Sequence, residues 1–199
     1  MHMEGKHPLI LTYGNTLRYH FPLILIIGRE PNTDTVSDGS VWFYDFEEYP
    51  KCAFWNIAFS VVGRVVGLSR REVKERFKNS NSSPVLFSDA FGQGIKNQIT
   101  DKESIRTGQL DTVDDQINAI FSHAQLIERV KLVILSGLDS NIYKPFKERI
   151  RVLLTVHDIK AIEIPFLYPT NMPSIINKLT TDDIAAIARI YNQYVKEVD

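Results

Sequence analysis

The sequence predicts an α/β fold, a three-layer α/β/α sandwich around a central, mostly parallel four-stranded sheet. Two observations carry this expectation. Apolar runs of strand length occur at residues 23–27, 85–87, 132–135 and 161–167. Stretches with helical spacing separate them, and that alternation builds a parallel sheet covered on both faces. The first run, LILII, is the most continuously apolar, which places it at the centre of the sheet.

In chain order, residues 9–19 read as a short helix or an extended arm that leads into this strand. Residues 54–66 carry closely spaced apolar side chains and read as a buried helix. The segment SRREVKERF then offers Ser69 as N-cap with Glu72 three residues later, the pattern of a capping box. The polar stretch 78–83 and the span 91–110 read as surface connections or crevice walls.

Residues 111–129 repeat apolar positions at helical spacing through Ile117, Ile120, Phe121 and Leu126. Residues 141–156 do so through Ile142, Phe146, Ile150 and Leu154, with Ser140 as a cap. The last segment opens TTDD at Thr180 and continues as an amphipathic helix through Ile187, Tyr191 and Val195. No internal repeat or low-complexity stretch interrupts the pattern. One domain over residues 1–199, with its core at about 20–198, is the expected organisation.

Composition narrows the function classes. Lys and Arg total 23 against 24 Asp and Glu, so a net charge of -1 gives no global attraction to polyanions, and any phosphate contact relies on a local patch. Arg70, Arg71, Lys74, Arg76 and Lys78 form one such run, either a phosphate contact or a solvated helix face; Arg29, Lys96 and Arg106 lie nearer the expected crevice. Cys52 is the only cysteine, which excludes an intrachain disulfide and a thiolate cluster. The five histidines lack liganding companions at metal-site spacing, so no metal and no cofactor are expected. The opening MHMEGKHPLI lacks the apolar core of a signal peptide, and no apolar run approaches the ~18 residues of a membrane span, so the expectation is a cytoplasmic protein.

Chemistry concentrates in two turns. After the first strand comes GREPN, where Gly28 lets the backbone turn and Glu30 sets a carboxylate just beyond the strand's carboxyl end. After the fourth comes YPTNM, with Tyr168, Thr170, Asn171 and Met172. Parallel strands deliver their carboxyl ends to one sheet edge, so the two turns can lie side by side. Between them, residues 39–59 are rich in aromatics, including Trp42, Phe43, Tyr44 and Phe46, in what reads mostly as loop. Such a loop either folds onto the core or offers flat surfaces to a planar ligand.

These motifs resemble the uracil-DNA glycosylase superfamily, and most of all its mismatch-specific uracil/thymine branch. The first turn of that superfamily, Gly-x-Asp/Asn-Pro, is similar to Gly28, Arg29, Glu30 and Pro31, and the spacing from Pro50 to Phe54 and Trp55 matches the branch. The closing turn resembles Tyr168 to Met172, and the segment from Phe87 to Phe91 resembles the polar turn that lines the base pocket. Glu stands where the superfamily has Asp or Asn, and Tyr where it has His or Asn.

The resemblance implies a metal-independent DNA glycosylase that hydrolyses the N-glycosidic bond of uracil or a related damaged or mismatched base in DNA. It implies Glu30 and Tyr168 as catalytic residues. Base binding falls to Gly28, Arg29, Phe46 (with Phe43 in reserve for stacking), Ser88 and Asp89, and DNA contact to Thr170, Asn171 and Met172, the last as an apolar wedge. A non-catalytic nucleic-acid or nucleotide-binding protein of the same fold is the alternative.

Overall fold

A computed structural model describes residues 6–7, 9–29, 36–37, 39–44, 53–91, 110–139 and 143–199. The most apolar run becomes strand β3 (Leu23–Gly28), and all six of its residues are buried. Sealing both faces of a strand requires strands on both sides and helices above and below. The neighbours are parallel: β6 (Val85–Asp89) pairs through Ile24 with Val85 and Gly28 with Asp89, and β7 (Val130–Ser136) pairs through Ile24 with Leu132 and Ile27 with Leu135. Beyond β7, β8 (Lys160–Ile164) is also parallel, with Ser136 opposite Ile164.

These are the four strands expected from the sequence, but among the described residues the sheet has six, β2 (Ile10–Tyr13) and β5 (Val41–Tyr44) included, in the order β5-β2-β6-β3-β7-β8, so the four-stranded expectation is corrected. The arm at residues 9–19 contributes β2 (Ile10–Tyr13), antiparallel to β6, followed by a 3₁₀ turn at Thr16–Arg18. Part of the aromatic segment read as loop is β5 (Val41–Tyr44), which runs parallel to β2 at the edge. Both strands have four residues, too few for alternation to separate them from loop. A two-residue ladder joins β1 (Lys6–His7) to β4 (Val36–Ser37) apart from the main sheet.

The helices follow from right-handed crossovers between parallel strands. From β3 the chain passes through β4 and the edge strand β5, then through α1 (Ala53–Val66) and α2 (Arg70–Ser80), to β6 on one side. It then passes through α3 (Leu110–Ser122) and α4 (Ala124–Ile127) to β7 on the other side, and through α5 (Lys144–Val156) outward to β8. Reversing direction across β3 sends the second set of helices to the opposite face. Packing follows this division: α3 contacts α5, whereas α1 contacts α2, α6 (Met172–Lys178) and α7 (Thr181–Val198). The architecture is α/β, a mixed sheet flanked by helices, and no helix among the described residues is long and apolar enough to cross a membrane.

Local signals decide the helix ends. Ser69 Oγ accepts from the Glu72 amide and Glu72 Oε2 accepts from the Ser69 amide, the expected box, and left-handed Asn81 closes α2. The helix expected at 111–129 breaks at His123 into α3 and α4. The one expected from Asn141 begins at Lys144, with Tyr143 at the N-cap position but no side-chain cap hydrogen bond, and Pro145 fits its first turn; Ser140 lies outside the described residues.

The connection at 78–83 also departs from expectation, since Ser82 and Ser83 are fully buried rather than at the surface. The Ser83 amide donates to Thr16 Oγ1, and Ser80 Oγ lies 2.7 Å from the Tyr194 hydroxyl, so each buried group is paired. On that face α7 seals the core: the Tyr194 ring meets Phe21 and Phe77 edge-on, and burial pushes its phenol up to about 12.

The start of α7 depends on a reciprocal cap in which Thr180 Oγ1 accepts from the Asp183 amide and Asp183 Oδ2 accepts from the Thr180 amide. Asp183 also pairs with Lys160 at 2.9 Å, tying the helix to β8. In urea unfolding, Thr180→Ala is expected to cost about 1 kcal/mol. Asp183→Ala should cost more, because it removes the cap acceptor and leaves Lys160 unpaired; equal costs would show that the Lys160 pair contributes nothing.

Candidate functional site

The helices that next follow β3 and β7 in the chain, α1 and α5, belong to separate packing groups, so the carboxyl ends of these adjacent strands lie where the fold divides. This is the topological switch point where open α/β sheets bind ligands. The residues gathered there come from four strand ends: Gly28 and Arg29, Asp89 and Phe91, Ser136 and Gly137, and Phe166.

Arg29 bridges the gap. Its Nε donates to the Gly137 carbonyl at 2.6 Å, and its guanidinium carbon lies over the Tyr143 ring at 5.1 Å and over the Phe166 ring at 5.0 Å. Each such contact of a cation with a ring face contributes about 0.5–2 kcal/mol, more as water is excluded. The rings are themselves braced, Tyr143 edge-on to Phe91 and Phe166 against Phe54.

Close approach of Arg29 depends on a glycine. Gly137 has φ +73, a left-handed conformation, and a Cβ there would lie 2.8 Å from Phe166 Cβ and 3.0 Å from Arg29 Nε. Two further bonds bind the ends of β7 and β8: the Gly137 amide donates to Ile164 O, and the Leu167 amide donates to Ser136 Oγ.

On the other side of β3, a Cβ on Gly28 would lie 2.8 Å from Asp89 Oδ1. The Asp89 carboxylate thus packs against the Gly28 backbone, and the Ala90 and Phe91 amides continue the ladder to Gly28 O and Arg29 O. Gly28 therefore separates a carboxylate on its β6 side from a guanidinium reaching toward β7.

The turn after β7 is held by charge. Asp139 Oδ1 pairs with Lys147 at 3.2 Å and Oδ2 with Lys178 at 3.0 Å, while Lys147 also pairs with Glu163 at 3.0 Å. Burial disfavours the Asp139 charge, yet the hydrogen bonds from Lys178 and Lys147 outweigh it and hold the carboxyl below its ordinary range. Lys147 shows the converse, with burial opposed and outweighed by Glu163 and Asp139, so its pKa is raised.

The residues proposed from sequence fall into distinct groups. Gly28, Arg29 and Asp89 meet at the strand ends, and the turn after β3 touches the turn after β8 through Arg29 and Phe166. Ser88 is buried and donates to Leu9 O at 2.6 Å, so its hydroxyl ties β6 to the arm. Tyr168 is 51% exposed at the start of a 3₁₀ turn, Pro169–Asn171, and Thr170 is exposed. Asn171 turns inward, its Nδ2 donating to Phe166 O at 2.9 Å, and Met172 packs partly against the core at the start of α6. Phe43 belongs to β5. Glu30 and Phe46 lie outside the described residues.

Sequence reasoning passed over Gly137, Tyr143 and Phe166. Gly137 carried a usable signal, a glycine directly after a buried strand as at Gly28. Tyr143 and Phe166 carried none, because their place over Arg29 depends on the strand order. Among the described residues no group of three His, Cys, Asp or Glu side chains is placed to hold a metal ion. No protein-family model matches the chain, and no curated protein matches it.

Gly137→Ala combines a strained backbone with a clash against Phe166 and is expected to cost about 2–4 kcal/mol in urea unfolding; a loss under 1 kcal/mol, about the helix propensity of one residue, would refute the close packing. Charge at the Asp139 turn sets a pH window. The carboxylate's contribution is complete above its ordinary value of about 3.9 and is lost as pH falls through its lower folded value. That of Lys147 is complete below about 10.4 and is lost as pH rises through its higher folded value. Thermal melts should therefore show Asp139→Asn less stable than the native chain at neutral pH, with the gap closing below about pH 4.

Proposed function

We propose that this protein is a DNA glycosylase of the uracil-DNA glycosylase superfamily, hydrolysing the N-glycosidic bond of uracil or a related damaged or mismatched base. The parallel block β6-β3-β7-β8 is, in this reading, the superfamily's four-stranded core, with β2 and β5 added at its edge. The observation that carries the proposal is the meeting of the GREPN turn with the segment that leads into YPTNM, Arg29 against Phe166, with the Asp89 carboxylate beside Gly28.

Glycosidic hydrolysis breaks the bond from sugar carbon to base nitrogen and forms one from that carbon to water oxygen. Positive charge grows on the sugar and negative charge on the departing base, which leaves with a proton. Glu30 stabilises the first charge and orients the water, Phe46 stacks on the extruded base, and the Tyr168 hydroxyl donates to a base oxygen. A carboxylate about 4 Å from the forming cation is worth roughly 4 kcal/mol at an effective dielectric near 20, before desolvation reduces it.

A second reading, a non-catalytic nucleic-acid or nucleotide-binding protein of the same fold, is favoured by one feature: Ser88 and Asn171, offered for base binding and DNA contact, give their polar hydrogens to backbone carbonyls. Single-turnover assays separate the two. DNA carrying uracil, mismatched thymine, hypoxanthine or an oxidised pyrimidine is expected to yield free base and an abasic site in the presence of chelator. Glu30→Gln should slow release about a hundredfold or more while leaving DNA affinity nearly unchanged. Binding without release from any substrate overturns the glycosylase reading in favour of the second.

A further inference from the structure

We infer that Arg29 is a phosphate receptor, and that a ligand at these strand ends places a phosphate over the gap between β3 and β7. Among the described residues two arginines stack on aromatic rings, and they differ in how their donors are used. Arg129, at the opposite edge of the sheet, lies over Phe21 at 5.1 Å and gives Nε to Phe21 O and Nη1 to Thr16 O. Its Nη2 is sealed from solvent, and burial lowers its pKa. Arg129 is a structural clamp that fastens the arm to the start of β7.

Arg29 uses only Nε in this way, toward Gly137 O. Its two terminal nitrogens have no hydrogen-bond or ion-pair partner among the described residues, yet they are not among the solvent-sealed polar atoms. A guanidinium presents five N–H donors in a rigid fork, and engaging Nε leaves the paired terminal edge that binds phosphate oxygens bidentately. Two rings and one carbonyl fix that fork before a ligand arrives, so little side-chain entropy remains to be lost on binding. Partial burial of a cation is costly, and an incoming anion offsets that cost.

The position selects phosphate over a purely structural role in another way. Arg29 stands at the switch point, where open α/β folds bind nucleotides, and its Nε is anchored on the β7 side at the Gly137 carbonyl. The phosphate can belong to a DNA strand or to a free nucleotide; the chemistry is the same and the source is a matter for experiment. This inference does not depend on base excision.

The test is calorimetric titration of the full chain with uridine, uridine 5′-monophosphate, inorganic phosphate and a short uracil-containing single strand. The native protein should bind the strand or the monophosphate about tenfold or more tightly than uridine, as expected for hydrogen bonds to a charged group. Arg29→Gln should abolish that preference, and Arg29→Lys, which keeps the charge but loses the fork, should retain only part of it. Circular dichroism melts identify the folded variants, and the Lys variant serves if the Gln variant does not fold. Preference for the strand alone assigns the phosphate to DNA, and preference for the monophosphate assigns it to a free nucleotide. An undiminished preference in Arg29→Gln, or equal binding of uridine and both phosphorylated probes by the native chain, overturns the inference. Base release measured on the same preparations is independent: lost phosphate preference without any native base release leaves Arg29 a receptor and removes the glycosylase, whereas base release with undiminished preference in Arg29→Gln does the reverse.

Discussion

Burial of β3 on both faces is the constraint from which the remaining structure follows. A strand with six buried residues can donate and accept hydrogen bonds only sideways, so β6 and β7 must flank it, and its two faces must be closed by helices. Because the flanking strands are parallel, the chain must return past the sheet between them, and its helices do so in two packing groups, α1 and α2 in one and α3 to α5 in the other. The same arrangement aligns the carboxyl ends of four strands along one edge. No polar residue of the crevice is responsible for that alignment.

At this edge the protein places opposite charges on the two sides of one glycine. Asp89 leans on Gly28 from β6, and Arg29 reaches away over β7 to the Gly137 carbonyl. Dense packing sustains the arrangement: a left-handed glycine lets Arg29 and Phe166 converge, and the Asp139 ion pairs fasten the turn that carries it. The described residues that meet here sit on strand ends and on the turns fastened to them, as precise ligand positioning requires. A charge-separated floor suits both a bond cleavage that develops positive sugar and negative base, and a nucleotide whose phosphate lies apart from its base.

Several polar residues that look alike in sequence take different roles in the structure. Ser88 and Asp89 are adjacent on β6, but strand alternation turns one toward the Leu9 carbonyl and leaves the other at the strand end beside Gly28. Asn171 and Tyr168 share one short turn, yet the amide folds back onto Phe166 O while the phenol is exposed. Residue type and order alone do not separate these cases.

The sequence by itself determined the parallel block, the capped starts of α2 and α7, and the placement of two polar turns after β3 and β8. These are readable because each rests on local physics: an unbroken apolar run, a Ser or Thr three residues before an acid, a Gly or Pro where a strand ends. Tertiary structure alone decided that β2 and β5 extend the sheet, since a four-residue strand is stabilised by its partner rather than by its own pattern. It likewise decided that buried Ser82 and Ser83 are structural, and that Tyr143, Phe166 and Gly137 converge on Arg29. Those contacts depend on strand order and crossover direction, which bring together residues from separate parts of the chain and leave no periodic trace within any of them.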